Sequence, residues 1–99
     1  MSNWRDDFSE EQLKEAFFSY MLVDSIDISG NNGDYFACID DEMGESEVYL
    51  TVDGQMIDSA ECNCGYDGSG YYCKHIAMVM FELFGTDREF EKYGKYFGD

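Results

Sequence analysis

Apolar residues near the start of the chain recur at helical spacing. Leu13, Ala16, Phe17, Tyr20 and Met21 fall at i, i+3, i+4, i+7 and i+8, which places them on one face of an α-helix. The segment before them carries a start signal. Ser9 can accept the Gln12 N–H while the Gln12 side chain reaches back to Ser9. A helix over 9–23 is predicted, its apolar face read as the cover of a sheet rather than as a groove-binding surface.

Beyond this helix the period falls to two. Ile26 and Ile28 alternate with Asp27, a short strand before the turn-rich break Ser29-Gly30-Asn31-Asn32-Gly33. Tyr35-Phe36-Ala37-Cys38-Ile39 and Val48-Tyr49-Leu50-Thr51-Val52 are dense in strand-forming residues. Asp40 to Ser46 reads as an acidic connection around Gly44. Asp53-Gly54 predicts a two-residue hairpin turn, so Gln55 to Glu61 should return antiparallel. From Ile76 to Phe84 the chain is apolar nearly all round, the mark of a buried helix, with Gly85 to end it. The pattern gives an α+β fold: a small antiparallel meander of about three strands, an N-terminal helix, the buried helix and a short C-terminal helix. Ninety-nine residues fit one domain, 1–99, able to bury roughly 60–65% of its unfolded surface.

Four residues change this picture from a fold to a site. Cys62, Cys64, Cys73 and His75 read C-x-C-x8-C-x-H, and they include the chain's single histidine. Three thiolates and an imidazole are a ligand set for a tetrahedral structural Zn²⁺, one ion in all. On a strand, positions i and i+2 face the same way, so Cys62 and Cys64 can address one ion. Cys73 should then stand just before the buried helix, with His75 in its first turn. Gly65, Gly68 and Gly70 let the intervening loop fold back. The ion would pin the end of a hairpin to the start of a core helix.

Charge limits what such a module can meet. Twenty-two acidic residues against six basic ones give −16, and three thiolates around Zn²⁺ add about −1 more. Phosphate backbones are repelled by such a field, whereas basic partners are attracted. No run approaches the ~18 apolar residues of a membrane span. Met1 to Asp7 is acidic and lacks a signal-peptide pattern, so a cytoplasmic setting is expected, where thiols stay reduced for metal.

C-N-C-x8-C-K-H-I-A, with a hairpin before it and an apolar helix after it, resembles the SWIM zinc finger over 48–83. The resemblance implies a ββα core around one Zn²⁺ held by Cys62, Cys64, Cys73 and His75. It also implies a module for DNA binding or protein interaction. CDGSH-type iron–sulfur proteins share a similar beginning, but their histidine follows the third cysteine by four positions, and here it follows by two. The proline expected there is missing too, since this chain has none.

A closed four-ligand site leaves no open position for water, and there is no second histidine to act as acid or base, so the chain is read as not an enzyme. Cys38, flanked by Phe36 and Ile39, reads as a small buried hydrophobe. Arg88, Lys92 and Lys95 share a helical face if Asp87 caps a last helix, accompanied by Phe90, Tyr93, Tyr96 and Phe97. Local pairing with Glu89 and Glu91 is preferred there to a nucleic-acid patch. Two function classes follow. One is a zinc-stabilised protein-interaction module with an acidic surface and an unknown, basic partner. The alternative is a nucleic-acid-binding finger with Tyr66, Tyr71 and Tyr72 as stacking groups, or an acidic DNA mimic.

Overall fold

The computed structural model describes residues 4–41, 44–63 and 72–94. A 3₁₀ turn, Trp4–Asp7, leads into α1 (Glu10–Leu22), and four strands follow: β1 (Ser25–Asn31), β2 (Asp34–Asp41), β3 (Gly44–Asp53) and β4 (Met56–Cys62). α2 (Lys74–Phe84) and α3 (Asp87–Tyr93) complete the described chain. The strands lie in the order β1-β2-β3-β4, every pair antiparallel. The fold is α+β, as the pattern of periods implies.

The sheet is larger than the three-strand expectation. The polar run after Ile28 is strand up to Asn31, and the break narrows to Asn32-Gly33, both at positive φ (53° and 89°). That is the demand of a tight two-residue hairpin turn, met by the favoured Asn-Gly pair. The acidic stretch from Asp40 to Ser46 is likewise mostly strand, with Asp40 opposite Glu45 and Asp41 opposite Gly44. The last hairpin turns one residue later than expected, at Gly54-Gln55, with Asp53 and Met56 paired across it. A register shift follows between Thr51 and Val52, whose partners are Ser59 and Ile57. The extra residue lets Ile57, Ala60 and Cys62 all turn to the inner side.

Alternation sorts the sheet into two faces. Ile26, Ile28, Ala37, Ile39, Val48 and Leu50 point inward, and the last four are buried. α2 lies on this face. Seven consecutive residues, His75 to Phe81, are buried because α2 is covered on its other side by α1. This corrects the placement of α1: its apolar face packs chiefly on α2 and not on the sheet. Phe17 meets Phe81 edge-on at 6.3 Å, and Tyr20 meets the same ring at 5.8 Å. Met21 and Leu22, at the helix end, are exposed instead. The Ser9–Gln12 capping box forms as expected.

The N-terminal turn closes the far end of α2. Trp4 is fully buried, its ring edge-on to Phe81 at 5.4 Å, and its backbone N–H donates to the Gln55 carbonyl. Arg5 stacks over that indole and grips Glu89 of α3 with two hydrogen bonds of 2.7 and 2.8 Å. Lys92 pairs with Glu10 of α1 at 2.7 Å. Glu89 and Lys92, expected to take part in pairing within the last helix, thus reach the N-terminal turn and α1 instead. Thr86, not Asp87, takes the N-cap position of α3. Lys95, Tyr96 and Phe97 lie outside the described residues. None of the described helices is long and apolar enough to cross a membrane.

Candidate metal centre

The end of β4 and the start of α2 meet at the inner face of the sheet. Cys62, opposite Val48 in the ladder, shares its inward direction. Cys73 is the N-cap of α2 in extended conformation (φ −76°, ψ 166°), and His75 follows in the first turn. Because the N-cap residue stands outside the helical spiral, its side chain and that of the residue two positions later can turn to one point.

They do so here. Cys62 Sγ lies 3.6 Å from His75 Nδ1, and Cys73 Sγ lies 4.0 Å from the same nitrogen. The three ligand atoms all fall within 4.8 Å of one another. In a tetrahedral zinc site the sulfur–nitrogen edge is about 3.6 Å, given the usual zinc–ligand bond lengths. Two sulfurs and a ring nitrogen are thus spaced to hold a metal ion. The donors suit a soft or borderline metal ion; Cys73 and His75 are both below a tenth exposed, and Cys62 is half-buried. Cys64 lies outside the described residues, as do Tyr66 and Tyr71. Tyr72, the third aromatic of that loop, packs its ring toward Phe8 at 6.0 Å, and its carbonyl accepts from the Gln12 side chain.

A further residue stands behind the histidine. Ser46 Oγ is 3.5 Å from His75 Nε2, the outer limit of a hydrogen bond. With Nδ1 turned to the sulfurs, Nε2–H is the donor left over, and a ligating imidazole commonly orients itself through such a contact. Sequence reasoning missed Ser46. Its signal was the inward parity it shares with Val48, two residues on. Cys38 is corrected in turn: it is half-buried and on the outer face, opposite Asp27 and Glu47. Its thiol is pushed up by burial and then by the carboxylates of Glu45, Glu47 and Asp27. It stands on the side of the sheet away from the cluster.

The family model of the SWIM zinc finger matches residues 48–84, from the middle of β3 to the end of α2. The match encloses both elements that bring the three donors together. No curated protein and no solved structure matches the chain.

Proposed function

We propose that this chain is a SWIM-like module built around one structural Zn²⁺, held by Cys62, Cys64, Cys73 and His75, and that it acts by protein–protein interaction through its acidic surface. The observation that carries the reading is the approach of Cys62, Cys73 and His75 at the β4–α2 junction, with spacing suited to a tetrahedral ion. A fourth, thiolate ligand would fill the tetrahedron and leave no site for a reactive water, so the role assigned to the ion is structural and not catalytic. The thiolates call for a reducing, cytoplasmic setting. The net charge of −16 favours a basic protein over any nucleic acid as partner.

Elemental analysis of the purified chain tests the metal half. One equivalent of zinc in a colourless protein is expected, and iron with a visible absorption band would overturn it. Titration with labelled DNA and RNA at low salt tests the choice of partner. No binding is expected there; tight binding would return the module to the nucleic-acid class.

A further inference from the structure

The sheet's second face lies on the side away from α2 and the Cys62–Cys73–His75 cluster. On it, Asp27, Cys38 and Glu47 form one row, and Ser29, Phe36, Tyr49 and Glu61 form the next. Asp40 and Glu45 sit opposite each other on one flank, and Asp34 lies on the other. No lysine or arginine occurs anywhere between Lys14 and Lys74, so the whole sheet lacks a cation. The described cations stand on the helices and the N-terminal turn.

The centre of this face is aromatic. Phe36 and Tyr49 are direct cross-strand partners with ring centroids 4.9 Å apart, and Tyr49 is 55% exposed. Beside Tyr49 a depression of about 280 Å³ is lined by Thr51, Ser59 and Glu61. Among the described residues no helix packs on this side, because α2 takes the inner face and α1 takes α2. An exposed tyrosine ring beside a half-buried phenylalanine, ringed by carboxylates, suits a planar cation. A guanidinium can stack on a ring while its edge donates to a carboxylate, a combination an ammonium serves less well.

We propose that the outer face of the sheet, centred on Phe36 and Tyr49, docks an arginine-containing basic segment of a partner protein. This rests on the interaction reading above and assigns its surface. The same charge disfavours a second copy of the chain, whose equivalent face is equally acidic.

The test is an NMR titration of the zinc-loaded full chain with a short peptide alternating arginine and glycine, and with its lysine counterpart. Amide shifts are expected at Asp27, Phe36, Glu47, Tyr49 and Glu61, with the arginine peptide binding several-fold more tightly. Tyr49→Ala, at an exposed position, should weaken it roughly fivefold. Glu47→Gln with Glu61→Gln should weaken both peptides, and the same change at Glu11 and Glu15 of α1 should not. Binding whose shifts map to α1 or α3 overturns this face while leaving the interaction reading intact. Failure of both peptides to bind even at low salt overturns both readings. Shifts on this face that grow with protein concentration alone assign it to self-association and overturn the arginine proposal.

Discussion

His75 Nδ1 and Cys62 Sγ stand 3.6 Å apart across the junction of a strand end and a helix start. That contact ties the local geometry of two elements to one point. If a metal holds it, the metal is part of the fold, because the residues it joins belong to β4 and to the helix at the centre of the core. Binding free energy at such a site is folding free energy.

The first prediction separates the cysteines. Cys62→Ser and Cys64→Ser should abolish zinc retention and cost about 3 kcal/mol or more, a fall in Tm on the order of 15 °C. Cys38→Ser, on the opposite side of the sheet, should keep one equivalent of zinc. Elemental analysis and thermal unfolding of the same samples read both quantities; equal zinc loss in all three would contradict the assignment.

Arg5 and Glu89 supply the second. The carboxylate is 3% exposed and accepts two hydrogen bonds from the guanidinium, which also reaches the Gly85 carbonyl at 3.4 Å. Arg5→Ala should cost about 3 kcal/mol, because it strands a buried charge, and Arg5→Ala with Glu89→Leu should recover much of that. Denaturant unfolding of the two variants provides the comparison. A double variant no more stable than the single one would show that the loss lies in the other contacts of Arg5, among them its stacking over Trp4 and its link to the Gly85 carbonyl.

Two glycines at positive φ should respond differently to alanine. At Gly30 a Cβ would meet the Asp34 carbonyl oxygen at 2.1 Å, a backbone atom that cannot swing away. At Gly54 nothing lies within 4 Å, so only the φ of 64° is strained. Gly54→Ala should cost about 1 kcal/mol and Gly30→Ala clearly more, on the order of 3 kcal/mol. Equal losses in denaturant unfolding would mean that the β1–β2 hairpin relaxes around the new methyl group.

Alkaline pH provides a further handle. Burial, and then the hydrogen bond to Glu82, push Tyr20 up to about 12 from its ordinary 10. A raised value means that the folded state holds the proton more tightly. The stabilisation is therefore complete below about 10 and is lost as pH climbs from there through about 12. Tyr20→Phe should flatten the stability profile in that window, as read by circular dichroism across pH. An unchanged profile would remove Tyr20 as the cause.

Much of the site and part of the fold can be read in the chain. The spacing of Cys62, Cys73 and His75 places the donors, and the all-round apolar run from Ile76 names the central helix. What escapes is the choice of neighbour. An apolar stripe on α1 says that one face is buried and not whether a sheet or a helix buries it. The run Tyr35 to Ile39 is apolar at both parities, so only pairing with Ile26, Ile28 and Val48 decides that Ala37 and Ile39 turn inward and Cys38 outward. Trp4 and Glu89 lie in short polar segments with no period to mark them as buried.

A closed zinc site clasping β4 to α2 has a direct spectroscopic signature. X-ray absorption at the zinc edge of the purified chain measures its ligands directly. Three sulfurs at about 2.3 Å and one nitrogen at about 2.0–2.1 Å are expected. A first shell of nitrogen and oxygen, or one with fewer than three sulfurs, would contradict the closed site.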